Sequence, residues 1–128
     1  MNLIPKIPTV AIVDDDPVYR KVIAHLLKKN NLKILFEAAN GAESISLMQQ
    51  ATLLPDIIIL DVEMPQMDGF ETAKMFKKYW PQVKIIANSG LLDPAVSNKM
   101  IAAGADRFIA KSFNSMKIAK VIQEVYES

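Results

Sequence analysis

The chain has 128 residues, of which 51% are hydrophobic, and its 15 basic and 14 acidic residues give a formal net charge of +1. This length allows one domain with its own core, and the lack of cysteine excludes disulfides, thiol chemistry and cysteine-based zinc sites. The sequence contains no basic block, no apolar run of membrane-spanning length and no signal-peptide pattern, so we expect a cytoplasmic protein that does not itself bind nucleic acid or membranes.

Strands and helices are predicted to alternate regularly after a short tail at residues 1–8. Short apolar runs predict strands at Val10–Val13, Lys33–Glu37, Ile57–Leu60, Val83–Ala87 and Arg107–Ala110. A helical pattern follows each strand, and a polar residue stands where each helix begins: Asp16, Asn40, Asp68, Asp93 and Asn114. This alternation favours an α/β fold, with a parallel sheet and helices on both faces.

The third predicted strand is the element around which the others are arranged. Ile57–Leu60 is apolar at every position and rich in β-branched residues, a pattern typical of a strand covered on both faces. The run ends in a carboxylate, Asp61. Because ligands of open α/β sheets bind beyond the carboxyl ends of the strands, we expect Asp61 to lie at the functional site.

Four more polar residues follow predicted strands in the same way. Asp14 and Asp15 come after the first strand, Ser89 after the fourth and Lys111 after the fifth. The carboxyl ends of parallel strands meet at one edge of the sheet. We therefore expect these side chains to converge on Asp61.

The chemistry of this set suits a phosphoryl group. Three carboxylates repel one another unless a cation lies between them, and all-oxygen ligands favour Mg²⁺. Lys111 adds a fixed positive charge and Ser89 a hydroxyl donor, both of which can neutralise or bind phosphoryl oxygens. A carboxylate such as Asp61 can then act as the nucleophile and form an aspartyl phosphate.

The chain also resembles a known family, the receiver domains of two-component response regulators. The resemblance rests on VDDD at 13–16, LDVEMPQMDG at 60–69, Ser89-Gly90, and FIAKS at 108–112, in the order and at the spacing of the family. It implies a receiver domain at residues 9–127. The implied fold is the flavodoxin-like, doubly wound, five-stranded parallel sheet with the strand order 2-1-3-4-5 and five helices.

The resemblance also implies roles for individual residues. Asp61 resembles the phosphoacceptor, and Mg²⁺ is expected to be held by Asp14, Asp15, Asp61 and the backbone carbonyl of Glu63. Lys111 resembles the lysine that completes the phosphoryl site of the family.

Two further residues resemble the switch of the family, Ser89 the switch hydroxyl and Phe108 the switch aromatic. Threonine is frequent where Ser89 stands. The family commonly has Lys-Pro after the fifth strand, whereas Lys111 is followed here by Ser112, which removes the proline rationale for a cis peptide bond.

The implied function is signalling. A histidine kinase or histidine phosphotransfer protein would pass a phosphoryl group to Asp61, and the changed surface would act on a downstream protein, with a phosphorylation-dependent dimer as one form of output. Such a domain assists its own phosphorylation and dephosphorylation but is not a turnover enzyme. Two alternatives stay open: the receiver part of a longer DNA-binding regulator or hybrid kinase, and an aspartyl-phosphate phosphatase. The phosphatase usually needs an acid–base Asp where this chain has Glu63.

Overall fold

The observed elements follow the predicted alternation. The computed structural model describes residues 7–64, 67–90, 93–112 and 114–128, so most of the predicted tail lies outside the described residues. The strands are β1 (Thr9–Val13), β2 (Lys33–Ala38), β3 (Ile57–Asp61), β4 (Lys84–Ser89) and β5 (Arg107–Ala110). The helices are α1 (Pro17–Lys29), α2 (Gly41–Gln50), α3 (Gly69–Tyr79), α4 (Pro94–Ala103) and α5 (Ser115–Glu127).

The strands form one parallel sheet in the order β2-β1-β3-β4-β5, as expected. After β1 the chain adds β2 on one side, and from β3 onward it builds the other side. The direction of winding therefore reverses between β1 and β3, and this reversal opens a crevice at their carboxyl ends. Asp14 and Asp61 lie at this point.

A reciprocal contact joins the opposite, amino ends of β1 and β3. The N–H and the hydroxyl of Thr9 donate to Asp56 Oδ2 at 2.9 and 3.2 Å, and the Asp56 N–H donates to the Thr9 carbonyl at 3.0 Å. These bonds fix the register of the two strands that carry the carboxylates.

Helices cover both faces of the sheet. α1 and α5 pack on one core, while α2, α3 and α4 pack on the other. β3 separates the two cores, because Ile57 and Ile59 face the first and Ile58 and Leu60 face the second. Burying each of these side chains contributes about 1.5–3 kcal/mol. The strand that ends in Asp61 is therefore fixed from both sides.

Each helix begins directly after the polar residue predicted to open it. Side chains accept hydrogen bonds from N–H groups of the first turn at Asp16, Asn40, Asp68, Asp93 and Asn114. A cap of this kind contributes about 1 kcal/mol. Among the described helices, none has both the length and the apolar character needed to cross a membrane.

β4 extends further than predicted. The sequence pattern ends the strand at Ala87, where the apolar run stops, but Asn88 and Ser89 also belong to it. Their backbone stays in the ladder, with Asn88 opposite Asp61, although their side chains are polar. Both side chains are buried, so polar groups enter the core at the end of the strand next to Asp61.

Candidate functional site

Carboxylates from the ends of two neighbouring strands meet, as predicted. One oxygen atom from each of Asp14, Asp15 and Asp61 lies within 4.8 Å of the other two. Asp14 and Asp61 are only 2% and 4% exposed, whereas Asp15 is exposed. Charged carboxylates this close repel one another, and burial removes the water that would screen them. The cluster therefore needs positive charge.

Contacts from α1 and β2 hold the end of β1. The Asp14 N–H donates to the Ala38 carbonyl at 3.0 Å, and Asp14 Oδ1 accepts from the Asp16 N–H at 2.9 Å. The Arg20 guanidinium donates to the Asp14 carbonyl at 2.6 Å and also pairs with Glu37 of β2 at 3.4 Å. The backbone of Asp14 is thus held by Ala38 and Arg20, and the Asp16 N–H orients its carboxylate.

A glycine allows α3 to begin directly against the end of β3. The Gly69 N–H donates to the Val62 carbonyl at 2.9 Å. A Cβ on Gly69 would lie 2.6 Å from the Asp61 carbonyl oxygen and 2.7 Å from Val62 Cα. Real Cβ atoms essentially never approach closer than 3.0 Å, so this close contact requires glycine.

Lys111, directly after β5, supplies the positive charge. Its Nζ lies 2.9 Å from Asp14 Oδ2 and 3.6 Å from Asp61 Oδ1. Its backbone N–H donates to the Ser89 carbonyl at 2.8 Å, which ties the residue to β4. The Lys111–Ser112 peptide bond is trans.

The ionisation of Asp61 is strongly altered by these surroundings. Burial, together with the negative charge of Asp14, raises the pKa of Asp61 from 3.8 to about 7, although Lys111 opposes this change. Burial lowers the pKa of Lys111, but its hydrogen bond to Asp14 and the attraction of Asp61 outweigh burial, so that the pKa is raised. At neutral pH Lys111 is charged and Asp61 is only partly ionised.

An open pocket of about 300 Å³ gives access to these groups. Its lining contains Asp15, Asp61, Glu63, Gly90 and Lys111. The Glu63 N–H donates to Asp61 Oδ1 at 3.4 Å, a long hydrogen bond. Three acidic residues and Lys111 therefore line the same opening.

The two candidate switch residues, Ser89 and Phe108, lie outside the lining just described. Ser89 is buried at the end of β4. Phe108 is half-buried in β5, on the far side of β4 from Asp61, and packs against the core beneath α3 and α4. It lines a second cavity, of about 340 Å³, with Asp93, Pro94, Ser97 and Asn98.

The structure adds two residues that the sequence did not single out. Tyr19 of α1 places its ring 4.7 Å from Lys111 Nζ. The Asn88 side chain of β4 donates to the Tyr19 hydroxyl at 2.9 Å. Asn88 carried a signal, since a polar residue ends the apolar run of its strand. Tyr19 carried none, because an aromatic residue on an amphipathic helix usually belongs to the core.

Comparison with known families shows what kind of domain carries the site. The family model of the response regulator receiver domain matches residues 10–123. The chain belongs to this receiver family. The matched residues include the cluster of Asp14, Asp15 and Asp61, which is consistent with the phosphoacceptor site of a receiver.

Similar receivers cover almost the whole chain. The chemotaxis proteins CheY of Thermotoga maritima and Bacillus subtilis are 33% and 32% identical, over 91% and 90% of this chain and 95% and 94% of their own lengths. The signal receiver domain of the response regulator NarL from Mycobacterium tuberculosis has a TM-score of 0.89 at 26% identity, with 97% of this chain and 99% of that chain covered. CheY4 of Vibrio cholerae has a TM-score of 0.83 at 30% identity, with 94% and 99% covered.

Proposed function

We propose that this receiver accepts a phosphoryl group on Asp61 from the phosphohistidine of a histidine kinase or histidine phosphotransfer protein, and that the change reaches a downstream protein. The observation that carries the proposal is the surroundings of the Asp61 carboxylate. It is buried at the end of β3, opens to a pocket, and has Lys111 Nζ at 3.6 Å and two more carboxylates beside it. Receiver domains as a family interact with histidine kinases and downstream targets.

The proposed step is a phosphoryl transfer without a free intermediate. A carboxylate oxygen of Asp61 forms a bond to phosphorus while the phosphorus–nitrogen bond of the phosphohistidine breaks, and the electron pair of that bond stays on the imidazole. The product is an aspartyl phosphate. Asp61 has to be ionised to attack, so the groups that raise its pKa also restrain the reaction when no cation is bound.

The donor set fits Mg²⁺. Asp14, Asp15 and Asp61 offer one oxygen each within 4.8 Å, and Mg²⁺ prefers a few carboxylates together with water. Burial and the negative charge of Asp14 raise the pKa of Asp61 despite Lys111, so a bound cation would favour the ionised form of Asp61. We assign the backbone carbonyl of Glu63 as a fourth protein ligand. When bound, the metal would neutralise charge on the phosphoryl oxygens.

Two side chains of the chain itself are assigned to the phosphoryl group. The Lys111 ammonium supplies a fixed charge from the β5 side, and its raised pKa keeps it protonated. The Ser89 hydroxyl is assigned as a donor to a phosphoryl oxygen, which requires the end of β4 to move toward Asp61.

Movement of Ser89 would connect the pocket with Phe108. The cavity beside Phe108 lies against the first turn of α4 and gives the ring room to move. We propose that Phe108 fills the space that Ser89 leaves, so that the face formed by α4, β5 and α5 changes on phosphorylation.

The proposal assigns residues 9–127 to the receiver and gives the chain a signalling role in the cytoplasm rather than turnover of a free substrate. Dimer formation after phosphorylation is one proposed form of output. Steady hydrolysis of a generic phosphate ester would contradict the signalling role.

Intact-mass measurement after incubation with acetyl phosphate and Mg²⁺ tests the phosphoacceptor. We expect one phosphoryl increment in the parent protein and none in Asp61→Asn, which keeps the shape but loses the nucleophile. Asp68→Asn is the matched control, because it makes the same change in the same motif and Asn caps a helix as well as Asp. A full increment in Asp61→Asn would refute the assignment.

A further inference from the structure

Tyr19 joins three elements around the candidate site. It lies on α1 and is 5% exposed. Its hydroxyl accepts from Asn88 Nδ2 at 2.9 Å and from the Ser112 N–H at 3.2 Å, and donates to the Ser112 carbonyl at the long distance of 3.5 Å. One hydroxyl therefore links α1, the end of β4 and the segment that follows β5.

The same side chain contacts Lys111 directly. The Lys111 ammonium lies 4.7 Å from the centre of the Tyr19 ring, within the range of a cation–π attraction. The ring attracts the charge of Lys111, and the hydroxyl holds the backbone of the next residue. The Tyr19 side chain thus restrains Lys111 in two places, at its ammonium group and at the peptide bond that joins it to Ser112.

Asn88 depends on this hydroxyl. Its side chain is buried, and its Oδ1 has no hydrogen-bond partner among the described residues. The bond from Nδ2 to Tyr19 thus satisfies the donor end of a buried amide in the strand beside Asp61. A buried amide whose partner is removed is destabilising, so the bond contributes to the folding of this corner as well as to its geometry.

We propose that Tyr19 is a positioning residue for Lys111, holding the ammonium at the carboxylates by its ring and by its hydroxyl bond to Ser112. The inference rests on the proposed function of Asp61. Positioning of a charged group matters for transfer because a preorganised ammonium needs no rearrangement when charge develops. Loss of the hydroxyl should loosen the segment after β5 while the carboxylates stay in place.

Tyr19→Phe tests the role of the hydroxyl, since it keeps the ring. We expect the maximal rate of phosphorylation by acetyl phosphate to fall about fivefold, the factor that corresponds to one ordinary hydrogen bond. The Mg²⁺ concentration that gives half of this rate should not change, because the carboxylates are unaltered. Exchange of the Ser112 amide hydrogen should become faster. Tyr79→Phe, at a tyrosine that is 53% exposed, should leave all three values unchanged.

A second variant separates positioning from stability. Adding Asn88→Val to Tyr19→Phe removes the buried amide that lost its partner, so unfolding stability should recover while phosphorylation stays slow. Recovery of the rate together with stability would overturn the proposal, as would a parent-like rate in Tyr19→Phe despite fast exchange at Ser112.

Placement of Lys111 can also be measured without any phosphodonor. The ¹⁵N signal of the Lys111 ammonium should shift in Tyr19→Phe and not in Tyr79→Phe, and an unchanged signal in Tyr19→Phe would overturn the positioning role. If the parent protein accepts no phosphoryl group, the proposed function fails, and this signal still decides whether Tyr19 holds Lys111.

Discussion

At the scale of single residues, ionisation of Asp61 opposes folding in the metal-free protein. The ordinary pKa of an aspartate, 3.8, applies to Asp61 in the unfolded chain, whereas the pKa of Asp61 in the folded protein is about 7. Between these values the folded protein binds a proton that the unfolded chain has released. The contribution of this proton to the unfolding free energy is complete below about pH 4 and is lost as the pH rises through about 7.

Asp61→Asn should therefore stabilise the metal-free protein most at alkaline pH. At pH 8 we expect a gain of roughly 1–4 kcal/mol, the upper end being the whole pKa shift at about 1.36 kcal/mol per unit, and at pH 4 only a small gain. Urea unfolding in the presence of a chelator measures both. Asp68→Asn should show no such pH dependence, and an equal gain at the two pH values for Asp61→Asn would contradict the argument.

Gly69 and Gly90 flank the site, and their stability should respond to different extents when each is changed to alanine. Gly69→Ala places a Cβ against the backbone of Asp61 and Val62, so we expect a loss of about 1–3 kcal/mol from overpacking. A Cβ at Gly90 has no atom of the described residues within 4 Å, and Gly90→Ala should change stability by less than about 0.5 kcal/mol. Chemical denaturation distinguishes the two. Equal losses would show that steric contact is not the reason for Gly69.

The residues of the site differ in how far the sequence could predict them. Asp14, Asp15, Asp61 and Lys111 follow apolar runs, and parallel strands bring such positions together whatever the packing details. The contact between Tyr19 and Lys111 depends on the rotation of α1 over the sheet, which no local pattern specifies.

At the scale of elements, β4 connects the pocket with the face that carries Phe108. Its predicted end was wrong by two residues because the apolar run stops before the ladder does. An apolar side chain indicates that a residue is buried in the core, but the end of a strand is set by the hydrogen bonds of its backbone, which polar residues also form. The consequence is functional, since Ser89 starts inside the sheet and has to move with the strand end rather than as a free loop.

Ser89→Ala should separate phosphorylation from its structural response. Asp61 should still accept a phosphoryl group, while the shifts of the Phe108 ring and of the Val96–Ala103 amides on adding beryllofluoride and Mg²⁺ should become smaller. The coupling expected for such a switch is about 1–3 kcal/mol. NMR spectra with and without beryllofluoride measure it, with the exposed Ser46→Ala as the control. Parent-like shifts in Ser89→Ala would show that the response takes another route.

At the scale of the whole molecule, metal binding should appear as stability. A ligand that binds only the folded state raises the unfolding free energy, by about 2.7 kcal/mol at a concentration of a hundred times Kd. Mg²⁺ should produce this rise in the parent protein and not in Asp14→Asn/Asp15→Asn. Asp68→Asn/Asp93→Asn removes the same charge at two helix caps and should keep the rise. Thermal unfolding at increasing Mg²⁺ measures it, and an unchanged rise without Asp14 and Asp15 would place the metal elsewhere.

The sequence pattern predicts the fold class, but it does not determine the order of the strands in the sheet. Alternating strands and helices predict a parallel sheet, but they allow more than one strand order. The order 2-1-3-4-5 was implied by the family resemblance, and the structure confirms it. What distinguishes this order physically is the direct pairing of β1 with β3, which leaves β2 on the outer side of β1 and joins segments far apart in the chain.

That pairing has a consequence for the kinetics of folding. Thr9 and Asp56, whose reciprocal bonds register β1 against β3, are 47 positions apart, so the pair forms only after a long loop closes and its entropy is lost. The carboxylates at the other end of these strands meet in the same event. Their repulsion therefore arises only once β1 and β3 are paired. Mg²⁺ should speed refolding if this pairing exists in the transition state, and should only slow unfolding if it forms afterwards.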